Sequence, residues 1–367
     1  MTRVLAFGTY NSRKHPRVGI LIQGLRSNDC DVFEINHPLE LSTAGRVEIL
    51  KKPWKLFGFA WTLLRLWRQL SKDARNWMRH NGRPDAILVG YMGHFDVLLA
   101  HHLFRGIPIL LDHLIFAGDT AKDRGAAGLK VRLLNGLDRM AINAATLVLV
   151  DTEEHQKMLR SSDQSMVVPV GAPDEWFQAG HLSTEKQEDV IFYGLYTPLQ
   201  GTIVIAEALT LLDAKGITPR TTMIGTGQDF AEVKNRLATL PNVTLVEWVE
   251  PEDLPSLVAS HAIALGIFST TAKGLRVVPN KVYQSMAAGC AVITSDTPPQ
   301  RRMVGDGTVL VKPGDAQSLA DALTELLSDE SSLVEAERKS AKAALRFIPR
   351  EVSRPLAQWL EHPDVRP

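Results

Sequence analysis

Short apolar runs alternate with longer stretches of helical period along most of this chain, and the alternation falls into two halves. In the first half Val4–Phe7, Asp31–Glu34, Ala86–Val89, Ile109–Leu111, Leu147–Asp151 and Met166–Pro169 read as buried strands. Helical patterns lie between them, notably over Val18–Leu25, Phe95–Phe104 and Leu129–Asn143. The run Val170-Gly171-Ala172-Pro173 then interrupts the pattern. A second set of strands follows at Val190–Tyr193, Thr221–Ile224, Thr244–Glu247, Ile263–Leu265, Ala291–Thr294 and Thr308–Val311. Regular strand–helix alternation implies parallel sheets with right-handed crossovers. The predicted class is α/β, with two doubly wound, Rossmann-like domains facing each other across a cleft. Ligands of such sheets sit beyond the carboxyl ends of the strands. The polar run after Pro173 places the boundary there: residues 1–172 form one domain, 173–346 a second, and 347–367 a tail that crosses back to the first.

Residues Pro279–Ser295, PNKVYQSMAAGCAVITS, read as a helix with a glycine stop running straight into a buried strand. Asn280 is the expected cap and Gly289 the left-handed stop. Lys281, Gln284, Ser285 and Ala288 share one helical face, while Val282 and Met286 cover the other. A lysine in the first turn of a helix favours an anion, because free N–H groups, dipole and ammonium act together. An ordinary surface helix is the competing interpretation.

This segment resembles the donor-site signature of glycosyltransferase family 4 and its relatives, whose fold is GT-B. The family pattern is Glu, seven residues, Glu, then a small residue, Met-Ala-x-Gly-x-Pro-Val-Ile. The second Glu falls here on Gln284 and the first on Arg276, so both carboxylates are absent. The resemblance implies that Gln284 binds the donor ribose through its acceptor oxygen. Arg276 cannot accept hydrogen bonds and suits a carboxylate or phosphate instead. It also implies a retaining, metal-independent reaction, so neither cofactor nor metal is expected beyond the nucleotide diphosphate sugar itself.

Composition narrows the setting. The chain has 367 residues, 45% of them hydrophobic, enough for two sizeable cores. Lys and Arg number 41 and Asp and Glu 41, so no overall field attracts nucleic acid. The two cysteines, Cys30 and Cys290, are far apart and read as buried reduced thiols. No signal pattern opens the sequence and no run of apolar residues is long enough to span a bilayer, so a cytoplasmic protein is expected.

The remaining candidate chemistry sits at strand ends. Gly194-Leu195-Tyr196-Thr197-Pro198-Leu199-Gln200-Gly201 resembles the family's phosphate loop, with Leu195 and Gln200 where cations are usual. A helix start at Gly201–Thr202 remains as an anion site. Gly225 permits close backbone approach. The resemblance makes Trp248 and Val249 candidate neighbours of the nucleobase, although core packing is the commoner role for such a Trp. Ser269 and Thr270 offer hydroxyls to phosphate or sugar. In the first half, Gly8, Thr9 and Tyr10 follow the opening strand, and Arg13 and Arg17 come next as candidate acceptor or phosphate ligands. His94, Asp112 and His113 follow later strands and are the candidate catalytic groups.

Segment Lys51–His80 differs in character. It carries Lys51, Lys52, Lys55, Arg65, Arg68, Lys72, Arg75 and Arg79 against the single acid Asp73, together with Trp54, Trp61, Trp67 and Trp77. Mixed Trp, Leu and cations describe a helix lying on anionic lipid, peripheral to the inner face of the cell membrane. A helix whose Trp residues pack on the domain is the alternative. The sequence therefore reads as a GT-B glycosyltransferase acting on a lipid-linked or surface-polysaccharide acceptor. A GT-B sugar-nucleotide epimerase and a non-catalytic nucleotide-sugar-binding subunit of a glycan-assembly complex are the other readings.

Overall fold

The structure is a computed structural model that describes residues 1–12, 16–39, 55–123, 125–183 and 186–361. The chain divides into two compact units. The first comprises Met1–Val150, His155–Val168 and the residues from Ser353 onward; the second comprises Asp151–Glu154 and Pro169–Val352.

The first unit contains β1 (Arg3–Gly8), α1 (Pro16–Arg26), β2 (Asp31–Asn36), α2 (Lys55–Asn81), β3 (Ala86–Val89), α3 (Asp96–Leu103), β4 (Ile109–Asp112), α4 (Ala117–Asp123), α5 (Leu129–Asn143) and β5 (Leu147–Val150). After the short α6 (Glu153–Gln156) comes β6 (Ser165–Val167). Its strands form one parallel sheet in the order β2-β1-β3-β4-β5-β6. Strand direction of build-up reverses at β1, so the loops after β1 and β3 flank the switch point where such sheets bind ligands. On one face of the sheet Leu5, Phe7, Ile87, Val89, Ile109 and Leu111 pack under Leu70 and Ala74 of α2, Val97 and Ala100 of α3, and Ala141 of α5. α3 lies between α2 and α5 and touches both.

In the second unit the order is α7 (Asp174–Leu182), β7 (Glu188–Tyr193), α8 (Thr202–Ala214), β8 (Thr221–Ile224), α9 (Phe230–Arg236), β9 (Val243–Val246), α10 (Leu254–Ala259) and β10 (His261–Leu265). A 3-10 turn at Gly274–Arg276 leads to α11 (Asn280–Ala287), β11 (Ala291–Ser295), α12 (Pro298–Val304), β12 (Val309–Val311), α13 (Ala316–Ser328) and α14 (Glu330–Ala344). The sheet order β12-β11-β10-β7-β8-β9 is again parallel throughout, with its switch point between β7 and β10. Strands buried on both sides need continuous apolar runs, which is why β10 and β11 are buried along their whole length.

Each strand read from the sequence is present, displaced at its ends by a few residues at most: β5 stops at Val150 and β6 covers Ser165–Val167. The last helix, α15 (Pro349–Glu361), begins in the second unit and groups with the first from Ser353 on, where the Ser353 hydroxyl lies 3.5 Å from the Leu21 carbonyl. Cys30 and Cys290 are both buried free thiols, as expected. Burial pushes the Cys290 thiol up to about 12, which keeps it protonated and unreactive.

Candidate functional site

In the second unit the loops after β7, β8 and β10 and the first turn of α11 meet at the carboxyl edge of the sheet. Gly225 is held against the loop after β7: a Cβ there would sit 2.0 Å from the Gly194 carbonyl oxygen, so only glycine fits. At Gly194 a Cβ would lie 2.8 Å from Lys281 Nζ. Gly201 occupies the left-handed region (φ 71°) as the residue before α8, and no side chain caps that helix. Its first-turn N–H groups and dipole therefore favour an anion in front of it.

Lys281 extends from α11 into this corner. The side chain is buried, and its Nζ donates to Gln200 Oε1 at 2.7 Å and lies 3.8 Å above the Phe192 ring. Gln200 stands where the resembled phosphate loop carries a cation, and here it serves as a neutral acceptor for the lysine. Burial holds the Lys281 pKa well below its usual value, and among the described residues no carboxylate offsets the cost. Tyr193 holds the helix in place: its hydroxyl lies 3.1 Å from both the Lys281 carbonyl and Ser285 Oγ. Tyr193 and Phe192 were read only as strand residues in the sequence, because a β-strand pattern does not say which side chain meets a distant helix.

The polar face of α11 is thus turned inward, with Lys281, Ser285 and Ala288 buried and Gln284 half-buried. Asn280 does not cap it. Pro279 is the capping residue, in extended conformation, no side chain bonds the first turn, and Asn280 is an exposed first helical residue. Proline presets the backbone before the helix and displaces the cap by one position. Arg276 is half-buried in the 3-10 turn, and its carbonyl accepts from the Thr152 hydroxyl at 2.9 Å. Ser269 is buried and bonded to Thr271, while Thr270 is exposed. Val249 is half-buried. Trp248 is 69% exposed, with its indole N–H donating to Glu250 at 3.1 Å. Core packing, the commoner role for such a residue, is excluded, and its ring face is open.

The first unit has a second cluster. Asp96, in the first turn of α3, accepts from the Thr9 N–H at 2.7 Å, the Thr9 hydroxyl at 2.8 Å and the Trp67 indole at 3.1 Å. Gly8 allows this approach, since a Cβ there would stand 3.0 Å from Asp96 Oδ2. The loops after β1 and β3 are thereby tied together at the switch point. Tyr10 is turned inward and donates to Glu34 at 3.0 Å. Arg17 belongs to α1, where it is buried and pairs with Asp112 (Nε–Oδ1 2.7 Å) and with the Val168 carbonyl at 2.9 Å. Arg17 and Asp112, read from the sequence as a phosphate ligand and a catalytic group, are bonded to each other in a buried ion pair. Arg13 lies outside the described residues.

His94 and His113 come together as strand-end reasoning anticipated, with ring centroids 4.9 Å apart. Sequence reasoning missed the residue that joins them. Asp138 of α5 lies 2.9 Å from His94 Nε2 and 3.7 Å from His113 Nε2, and it accepts from the Ala117 and Gly118 N–H groups at 2.8 and 3.0 Å. Facing a carboxylate, His94 Nε2 must be the donor. Burial raises the Asp138 pKa, but the bonds from His94, Gly118 and Ala117 outweigh it and hold the carboxyl below its usual range. His113 is pushed down to about 3 by burial and then by His94, so it is neutral. The ligand atoms of His94, His113 and Asp138 lie within 4.8 Å of one another, a set able to hold a metal ion. Met92, just before His94, has φ 62°, a strained conformation of a kind that concentrates at functional loops.

Comparison with known proteins agrees with this architecture. Residues 187–329 match the family model described as Glycosyl transferases group 1. Among solved structures, sucrose-phosphate synthase from Thermosynechococcus elongatus is similar with a TM-score of 0.68 at 14% identity, covering 98% of each chain. HepE from Anabaena, solved in complex with UDP, gives a TM-score of 0.64 at 14% identity over 98% of this chain and 100% of its own. The same protein with UDP-glucose gives 0.62 at 15% identity over 98% and 100%. No curated protein matches. The fold is GT-B, and residues 187–329 of the second unit are similar to the group 1 glycosyltransferases. The resemblance read from Pro279–Ser295 is borne out at that level.

Proposed function

We propose that the protein transfers a sugar from a nucleotide diphosphate sugar to a lipid-linked or surface-polysaccharide acceptor, with retention at the anomeric carbon and without a metal. The observation that carries this reading is Lys281: a buried amine whose hydrogen-bond partner among the described residues is the neutral Gln200, beside an uncapped helix start. Such a corner is short of one anion, and a diphosphate supplies it. Gln284 takes the ribose, Gly194, Gln200, Gly201 and Gly225 admit the diphosphate, and Ser269, Thr270 and Arg276 face the sugar. The exposed Trp248 ring with Val249 receives the base. HepE binds UDP and UDP-glucose, which supports a uridine diphosphate donor here. Leaving-group charge is then stabilised by Lys281 and the α8 N-terminus as the anomeric bond breaks.

On the acceptor side, Thr9 and the His94–His113 pair lie at the switch point of the first unit. His113, neutral throughout the physiological range, serves as a hydrogen-bond partner rather than a charge. The protein works at the cytoplasmic face of a membrane. Among the described residues no helix is long and apolar enough to cross one. Support for peripheral attachment comes from α2: Phe57, Trp61, Leu64, Arg68, Lys72, Arg75 and Arg79 are exposed and fall on one helical stripe. Trp67 and Trp77 face inward, with Trp77 packed on Phe33 at 5.1 Å, and Trp54 lies outside the described residues. The reading is tested by nucleotide release from uridine diphosphate sugars with and without added membrane lipid. Lipid-stimulated release supports it. An isomerised donor with no transfer indicates an epimerase, and binding without turnover indicates a non-catalytic subunit.

A further inference from the structure

Among the described residues of the first unit, the exposed large apolar side chains other than Met1 fall on two helices: Phe57, Trp61 and Leu64 on α2, and Leu129, Leu133 and Met140 on α5. Both helices pack on the same face of the sheet, on either side of α3. Both also overrun its carboxyl edge. Trp67 marks that edge on α2, through Asp96 and the loop after β1, and Phe57 precedes it by ten residues, about 15 Å of helix. Asp138 marks it on α5, through His94 and the Ala117–Gly118 amides, and Leu129 precedes it by nine residues, about 13 Å.

The projecting turns are where the apolar side chains are most open. Phe57 and Trp61 are 81% and 73% exposed, and Leu129 and Leu133 are 71% and 66% exposed. Cations accompany them on both helices. Behind the α2 tip run Arg68, Lys72, Arg75 and Arg79; beside the α5 tip stand the exposed Lys130 and Arg132. The acid on the outside of α2, Asp73, is paired with His37 at 2.7 Å, and the acid of α5, Asp138, is buried. Apolar side chains at a tip with cations alongside match an anionic bilayer, whose headgroups take the charge while the tips enter the acyl boundary. The charge pattern favours this occupant over a second copy of the chain, which would bring the same cations together.

We propose that the tips of α2 and α5 are two insertion points on one anionic membrane surface. Two points fix an orientation that one helix leaves free: the first unit stands with the carboxyl edge of its sheet, and hence Thr9, His94 and His113, toward the headgroups where a lipid-linked acceptor resides. The inference rests on the membrane reading of α2 and adds α5 to it.

The test uses the full-length protein. Single labels of an environment-sensitive fluorophore are placed at Trp61→Cys, Leu133→Cys and, as a control, the exposed Lys215→Cys of the second unit; the native thiols are buried and do not compete. Vesicles contain equal parts phosphatidylglycerol and phosphatidylcholine, or phosphatidylcholine alone. A blue shift at 61 and at 133 on the anionic vesicles, with none at 215, is the expected result. Leu129→Ser/Leu133→Ser should weaken sedimentation with those vesicles about tenfold, since two partly buried Leu side chains are lost from the contact. A shift at 61 with none at 133, and unchanged sedimentation of the double variant, overturns the α5 inference and leaves α2 as the sole contact. No shift at either position removes the membrane reading itself. A shift at 133 that grows with protein concentration in the absence of lipid shows a contact between copies and overturns the proposal.

Discussion

Replacing Lys281 by Met should separate binding from stability in opposite directions. Methionine keeps most of the volume and removes the amine. In the free protein that amine is buried with a neutral partner, Gln200, and its pKa is held well below the usual value by burial. The folded state therefore binds fewer protons at this site than the unfolded chain, so the site's contribution to stability improves as pH rises toward the unfolded lysine pKa of about 10.4. At neutral pH Lys281→Met should be at least as stable as the parent, because the buried polar group is gone. Binding should move the other way. A hydrogen bond to a charged group contributes about 1.5–3 kcal/mol, which is about tenfold to a hundredfold in affinity. A diphosphate beside Lys281 also raises its pKa, so binding takes up a proton, and affinity should fall as pH rises between the free and bound values. Calorimetric titration of uridine diphosphate in buffers of different ionisation enthalpy reads both quantities. A parent enthalpy independent of buffer, together with an unchanged affinity in Lys281→Met, refutes the assignment of the diphosphate to this corner.

Three further outcomes follow from other contacts. Asp112→Asn leaves the Arg17 charge buried without its counter-ion and should cost about 3–5 kcal/mol of stability, read by urea denaturation; a loss below 1 kcal/mol contradicts a structural role for the pair. Arg276 stands where the resembled signature has a carboxylate, and a guanidinium suits an anionic sugar, so on the proposed reading uronic donors should outcompete neutral ones in side-by-side turnover. A strong preference for a neutral hexose counts against that use of Arg276. Changing Arg65, Arg68, Lys72 and Arg75 to Gln should release the protein from anionic vesicles without unfolding it, at about 1 kcal/mol per cation near the surface, and rising salt should mimic the change. Equal sedimentation of that variant shows α2 to be no more than a packed helix.

The strands were legible in the sequence because parallel sheets buried on both faces leave unbroken apolar runs, as at Ala86–Val89 and Ala291–Ser295. The inward reach of Lys281 was half legible. Spacing placed it on one face with Ser285, but nothing local said that Gln200, 81 residues away, would receive it. The same limit hid Asp138, which lies 44 residues from His94 and reads as an ordinary polar helix position. Arg17 looked like a loop cation because its neighbours are basic; only the fold shows it buried on Asp112. On α2 the clustering of Trp was visible, but its division was not. Trp67 and Trp77 follow the apolar stripe of Leu63, Leu70 and Ala74, while Trp61 follows the opposite one. Periodicity gives both stripes equal standing until one of them meets a sheet. For Trp248 the sequence left the core role open for a related reason, and its exposure closes it: a residue just past a strand end has no period to say which way it turns.

In the proposed reaction, sugar leaves a nucleotide held by the second unit and arrives on a membrane-borne acceptor. Its most direct test supplies a uridine diphosphate sugar labelled in the sugar, with membrane extract, and follows the label into the organic-extractable lipid fraction. Label is expected in that fraction, matched by released nucleotide, and lost in Lys281→Met. Label that stays with the nucleotide, or transfer that proceeds undiminished in that variant, would contradict it.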